Sequence, residues 1–207
     1  MNAKIDISNV VLKTERLILR PWKLSDLDDF FEYASADGVG QMAGWLPHEN
    51  REVSLGILNL FIEGRKTFAL EMNGKVIGSL GIEPYKEADL AEFDSLACRE
   101  IGFVLSRDYW GQGLMPEAVR AVLRWLFEDA GLDLVFCGYF LRNRQSARVQ
   151  EKCGFRFYKH RVFETRYGSA EDSTLGILRR EDWAAANKDT EIEPLPLPMG
   201  RNGHSGA

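Results

Sequence analysis

The sequence predicts one α/β (or α+β) domain built on a mixed β-sheet, and three observations carry that expectation. Residues 100–105, 115–127 and 134–140 read in succession as strand, helix and strand, a unit that needs a right-handed crossover between parallel strands. Residues 67–72 and 75–82 read as two strands joined by Asn73-Gly74, a dipeptide that favours the tight turn of an antiparallel hairpin. Strand-like runs on both sides of the central unit make the sheet mixed.

Each element has its own signal. RLILR at 16–20 reads as a first strand stopped by Pro21. Ser25 resembles an N-cap ahead of Asp26, Leu27, Phe30 and Phe31, which suits a short helix. Val53, Ile57, Leu60 and Phe61 recur at helical spacing and predict a helix near 51–64. The segment 84–95 is acidic and irregular and reads as a loop. In the next strand Ile101, Phe103, Val104 and Leu105 supply apolar bulk. The helix from Met115 repeats Val119, Val122, Leu123, Leu126 and Phe127, and Gly131 ends it. LVFCGYF at 134–140 is continuously apolar, as expected of a strand buried on both faces. Asn143 can cap a further helix that Gly154 terminates, and 155–163 and 173–178 read as closing strands.

Composition bounds the function. A chain of 207 residues fits one domain with tails, here 12–187, with 1–11 as an N-terminal extension. The Pro- and Gly-containing residues 188–207 lack periodicity and read as a C-terminal tail. No apolar run reaches the roughly 18 residues of a membrane span, and the opening MNAKIDISNV holds no apolar signal core. Cys98, Cys137 and Cys153 are odd in number and widely spaced, which suits a reducing cytoplasm rather than a disulfide framework. A formal charge of -5 argues against a general nucleic-acid binder. His48, His160 and His204 show no metal-binding spacing, so no metal is expected.

The chemistry concentrates in SRDYWGQGLM, residues 106–115, between a strand and a helix. Gly111 and Gly113 let the chain turn sharply and approach a ligand. Pro116 suits the first helical position, where no N–H is needed. The N–H groups of residues 111–115 would then converge at a helix N-terminus, an arrangement that favours a phosphate or pyrophosphate. There is no G-K-[ST] here, and Pro116 replaces the third glycine of a dinucleotide fingerprint. Residues 142–161 add seven cations (Arg142, Arg144, Arg148, Lys152, Arg156, Lys159 and Arg161) against the single acid Glu151, suited as a group to a multiply phosphorylated ligand.

These residues carry a family resemblance. Glu100-Ile-Gly-Phe-Val-Leu followed by Tyr109-Trp-Gly-Gln-Gly-Leu-Met-Pro-Glu-Ala118 resembles the acetyl-CoA motif of GNAT N-acetyltransferases. Asn143-Arg-Gln-Ser-Ala-Arg148 with Glu151-Lys-Cys-Gly-Phe155 is similar to the second CoA-contacting element of that superfamily. Thr14-Glu-Arg-Leu-Ile-Leu-Arg-Pro21 resembles the opening of its ribosomal-protein N-acetyltransferase branch. Trp110 and Met115 depart from the superfamily's usual residues around Gly113, and Met115 is the bulkier change. The resemblance implies a sheet of about six to seven strands flanked by helices, with a CoA cleft where the central parallel strands splay apart.

It also implies roles. Acetyl-CoA would be the cosubstrate, held by main-chain groups of Phe103, Val104 and Leu105, by Trp110, Gly111, Gln112, Gly113, Leu114 and Met115, and by Asn143, Ser146 and Arg148. Glu100 is the candidate general base, acting through water, and Ser146 the candidate acid for the departing sulfur, with Tyr139 as a weaker rival. A strand-end salt bridge, a helix cap and a first-turn serine are the plain structural alternatives for Glu100, Asn143 and Ser146. The favoured acceptor is a protein N-terminal α-amine, with segments 35–50 and 84–98 shaping its site. A small-molecule amine, a non-catalytic acyl-CoA-binding module and ribosome or RNA association through 142–161 are the rivals. A monomer or a homodimer is expected.

Overall fold

The structure is a computed structural model and describes residues 1–187; the tail expected at 188–207 lies outside the described residues. Its sheet has eight strands: β1 (Leu12–Lys13), β2 (Ile18–Pro21), β3 (Thr67–Met72), β4 (Lys75–Glu83), β5 (Cys98–Leu105), β6 (Leu134–Phe140), β7 (Arg156–Glu164) and β8 (Ala170–Arg179). They lie in the order β1-β2-β3-β4-β5-β6-β8-β7, antiparallel except for β5 and β6. The strand beyond the expected count is β1, whose two residues are too short to show a period. Five helices accompany them: α1 (Leu27–Ala34), α2 (Arg51–Gly64), α3 (Leu114–Glu128), α4 (Arg144–Lys152) and α5 (Arg180–Asn187). Among the described residues, no helix is long and apolar enough to cross a membrane.

The strand period of two sorts side chains onto two faces. Phe68, Leu70 and Ile77 face one way and meet Val119, Val122, Leu123 and Leu126 of α3, while Ala69 and Val76 join Trp22, Phe30, Tyr33 and Leu58 on the side of α1 and α2. The sheet is thus the middle of three layers. Asn73 and Gly74 both take positive φ, 52° and 82°, as the predicted hairpin turn requires.

Several local expectations are corrected. Ser25 is exposed and caps nothing; α1 follows a 3-10 turn, Leu24–Asp26, closed by the Asp26 carboxylate. That carboxylate accepts the Lys23 N–H at 2.8 Å and both terminal nitrogens of Arg20 at 2.8 and 2.9 Å, so a buried ion pair replaces the serine cap. In α2 the period is right and half of the predicted face packs inward, with Ile57 and Phe61 against the cluster of Trp22 and Phe30. Val53 and Leu60 are exposed, Leu58 is buried in that cluster, and Ser54 is buried with its Oγ 2.7 Å from His48 Nδ1. The segment 84–95 holds two 3-10 turns, and its Tyr85, Leu90 and Phe93 bury themselves against Phe136 and Leu175. Residues 1–11 also pack on the domain: Ile7 is buried, and Asn2 forms a parallel bridge with Cys98.

One irregularity places the site. β5 and β6 pair only from Cys98 with Leu134 to Ile101 with Cys137, although β5 runs on to Leu105 and β6 to Phe140. β4 stays paired with β5 as far as Leu105. The sheet therefore opens between its two parallel strands, leaving backbone groups on both lips without strand partners.

Candidate active site

The opening is a cleft of about 570 Å³ lined by residues 100–105 of β5, by Gly138, Tyr139 and Phe140 of β6, by the loop before α3 and by the first turns of α4. That volume falls in the range of small-molecule sites. The loop turns as the sequence requires, with Gly111 at φ 75° and Gly113 at φ 77°. Gly113 is the N-cap of α3, so Pro116 sits third in the helix rather than first, still within the turn that needs no N–H. Among the described residues, the N–H groups of residues 111–115 have no intramolecular acceptor. A Cβ on Gly111 would meet nothing within 4 Å, and one on Gly113 only Arg16 Nη2 at 3.7 Å, so open space lies in front of these donors. Free donors, open space and a helix N-terminus fit a pyrophosphate.

The other expected ligand residues fall into place unevenly. Phe103, Val104, Leu105, Trp110, Gly111, Gly113, Leu114, Met115, Asn143, Ser146 and Arg148 all line the cleft. Gln112 does not; its side chain donates to the Asp108 carbonyl and its own carbonyl accepts from Arg16. Trp110 donates its indole N–H to the Leu105 carbonyl at 2.8 Å, tying the loop to the end of β5. Met115 is buried in the main core, and its bulk packs beneath α3. Asn143 caps α4 by accepting the Ser146 N–H at 3.0 Å and donates to the Met42 carbonyl at 3.2 Å, so its amide joins α4 to the 3-10 turn at Gly40–Ala43. Among the described residues, the Ser146 and Tyr139 hydroxyls have no intramolecular partner.

The cationic patch does not act as a group. Arg142 pairs with Glu171, Arg156 with Asp182 and Arg161 with Glu100, while Lys159 donates to the Asp89 carbonyl. Arg148 and Lys152 line the cleft without an ion-pair partner among the described residues. Sequence spacing along a helix and an edge strand could not show which cations turn inward.

At the far end of the cleft, Glu100 meets Arg161 of β7 through both carboxylate oxygens, with Nη1 to Oε2 at 3.1 Å and Nη2 to Oε1 closer. This pair lies over Gly138, where a Cβ would collide with Arg161 Nη2 and stand 3.3 Å from Glu100 Oε1. Phe163 and Phe140 pack beside it with ring planes tilted by 60° and centres 5.5 Å apart, and Val39, Met42 and Ala43 complete the wall. Sequence reasoning placed Arg161 in the phosphate patch, reached Met42 only as part of the acceptor segment 35–50, and missed Gly138 and Phe163 altogether. The glycine inside an otherwise bulky apolar strand was the one available signal.

Other reactive side chains are elsewhere. His48 bonds Ser54 outside the cleft, and burial, with Arg166 nearby, lowers its pKa. Burial pushes the Cys137 thiol well up and the Cys153 thiol to about 11, leaving both protonated core residues.

A mixed sheet split between its parallel strands, with a donor-rich loop at one lip and a carboxylate at the other end, is the arrangement that the resemblance to acyl-CoA-dependent transferases implies. The chain belongs to the GNAT acetyltransferase family, whose domain matches residues 16–156. Acetyl-CoA is the cosubstrate of that family, and the chain is an acyltransferase. It is 26% identical over 152 residues to the uncharacterized N-acetyltransferase p20 of Bacillus licheniformis, spanning 70% of this chain and 82% of that protein. Its fold matches a GNAT-family acetyltransferase from Bacillus anthracis with a TM-score of 0.72 at 23% identity, over 83% of this chain and 99% of the other. It also matches the ribosomal-protein-S5-alanine acetyltransferase of Vibrio fischeri with a TM-score of 0.64 at 22% identity, over 84% and 99% of the two chains. At these identities the two structures attest the fold.

Proposed function

We propose that this acetyltransferase acts on a protein N-terminal α-amine in the cytoplasm, with Glu100 as general base and Ser146 as general acid. The observation that carries the assignment of roles is that both side chains line the one cleft where β5 and β6 part. The α-amine is favoured by the resemblance of residues 14–21 to the ribosomal-protein branch and by the likeness to the Vibrio fischeri enzyme.

Acetyl-CoA, when bound, supplies a thioester carbonyl as electrophile. The N–H groups of residues 111–115 receive the pyrophosphate, Arg148 and Lys152 meet phosphate charge, and the unpaired edge of β5 at Phe103, Val104 and Leu105 holds the pantetheine arm like an added strand. A main-chain N–H of that edge polarises the carbonyl oxygen. Glu100 takes the proton of the incoming ammonium through a water, while Arg161 fixes the carboxylate's orientation. The neutral amine bonds to the acyl carbon and the cationic nitrogen of the adduct gives its second proton to water, the carbon–sulfur bond breaks, and Ser146 donates a proton to the sulfur and recovers one from solvent. Met42, Phe140 and Phe163 shield the acceptor end from bulk water.

Incubation with acetyl-CoA and a mixed library of peptides and small amines, read by mass spectrometry, tests the reading. Acetylated peptide N-termini are expected. Products confined to polyamines or other small amines would replace the acceptor, and CoA binding without any product would make the chain a binding module.

A further inference from the structure

The opening motif that suggested a branch of the family has a second use in the structure. Thr14 and Arg16 do not line the cleft. Both reach Glu117 in the first turn of α3, about a hundred residues away. Thr14 Oγ1 donates to Glu117 Oε1 at 2.5 Å, the Arg16 main-chain N–H to the same oxygen at 2.9 Å, and Arg16 Nε to Oε2 at 2.8 Å. Arg16 Nη2 lies 2.6 Å from Oε2, and Nη1 donates to the Gln112 carbonyl at 2.9 Å.

Two physical consequences follow. In a trans peptide the carbonyl of one residue and the N–H of the next point in opposite directions. Arg16 pulls the Gln112 carbonyl to its own side, so the Gly113 N–H is aimed the other way. The second consequence concerns charge. A carboxylate in the first turn of a helix is drawn by the same field that attracts a pyrophosphate, and an unpaired Glu117 would repel one. Burial alone would raise the Glu117 carboxyl, but the donors from Thr14 and Arg16 outweigh it and hold it below the usual range. The ion pair leaves the helix N-terminus open to a second anion.

We propose that Arg16 is a positioning residue for acetyl-CoA, neutralising Glu117 and, through the Gln112 carbonyl, aiming the Gly113 N–H into the cleft. The proposal rests on the reading that residues 111–115 receive the pyrophosphate. It assigns the Thr14–Arg16 segment to donor binding rather than to acceptor choice.

The test compares Arg16→Gln, Arg16→Gln/Glu117→Gln and Gly113→Val by calorimetry with CoA and by kinetics with acetyl-CoA and acetyl-pantetheine, which lacks the pyrophosphate. Arg16→Gln is expected to raise the CoA Kd and the acetyl-CoA KM about tenfold, as for an ion-pair partner left uncompensated. Its kcat, and kcat/KM for acetyl-pantetheine, should stay near wild type. Removing the stranded carboxylate in the double variant should recover at least half of the logarithmic loss. Absence of recovery, which a direct phosphate contact by Arg16 predicts, overturns the proposal, as does an equal loss with acetyl-pantetheine. Should Arg16→Gln fail to fold, Arg16→Lys keeps the charge but not the forked contacts, and its CoA Kd should rise several-fold; an unchanged Kd overturns the proposal. Weakening by Gly113→Val but not by Arg16→Gln defeats the proposal alone. Unchanged CoA binding in Gly113→Val defeats the loop reading and the proposal with it.

Discussion

The two ends of the cleft are built by different means. The donor end is contiguous: residues 106–115 supply the turn and a run of main-chain donors, and α3 begins at once behind them. The acceptor end is assembled from side chains of β5, β6, β7 and the 3-10 turn at Gly40–Ala43, which sequence separates by up to 124 positions (Val39 to Phe163). Backbone recognition tolerates side-chain change, whereas a side-chain pair such as Glu100 with Arg161 depends on each member and on the glycine beneath it. Donor binding and chemistry should therefore fail separately when the two ends are altered.

The largest effect is expected at the acceptor end. Glu100→Gln should lower kcat by roughly 10²-fold, the scale of general-base loss, and leave the CoA Kd nearly unchanged. With an α-amine acceptor of pKa near ~7.7–8.0, the defect should shrink as pH rises and more amine arrives neutral. A pH-independent defect would mean that Glu100 orients the amine instead, and normal turnover at pH 7 would remove it from the chemistry.

Next in size is the converse at the donor end. Gly113→Val places a β-branched residue at φ 77° and a side chain before the free N–H groups, and should weaken CoA tenfold or more, about 1.4 kcal/mol. Calorimetry on the folded variant measures it, and an equal fall in kcat would blur the separation of the two ends.

Gly138→Ala sharpens the comparison. The added methyl collides with Arg161 Nη2 and displaces the guanidinium that holds Glu100, so kcat should fall about tenfold while the acetyl-CoA KM holds. A crystal structure of the variant with the pair intact and full activity would show that the pairing is incidental to turnover.

A smaller effect separates the two cleft-lining cations from the paired ones. Arg148→Ala with Lys152→Ala should weaken CoA several-fold more than dephospho-CoA if they meet the 3′-phosphate, whereas Arg156→Ala should not distinguish the two ligands.

The smallest concerns stability. The Glu117 carboxyl has a folded pKa below its unfolded value, so its contribution is complete above the ordinary glutamate value of about 4.3 and is lost as pH falls through the folded pKa. Glu117→Gln should therefore lower stability modestly at pH 7 and flatten the acid side of the curve in urea melts, the two proteins converging as pH falls through the folded pKa.

Much of this was legible because it depends on near neighbours in the chain. The hairpin at Asn73 and Gly74, the apolar run of β6, the period of α3 and the turning glycines before it are set by backbone sterics and by spacings of two or 3.6 residues, so position alone reveals them. Position alone could not say which of the seven cations between 142 and 161 turn into the cleft, nor that Asp26 displaces Ser25 at the start of α1, nor that Val53 and Leu60 face outward. The longest of those links join partners far along the chain: Arg161 finds Glu100 61 residues away and Arg16 reaches Glu117 across 101 residues, while Asp26 answers to Arg20 only six residues back, on the strand that precedes it. Charge pairing and burial are satisfied in space, between strands whose order the sheet alone sets, and no periodicity in the sequence encodes that order.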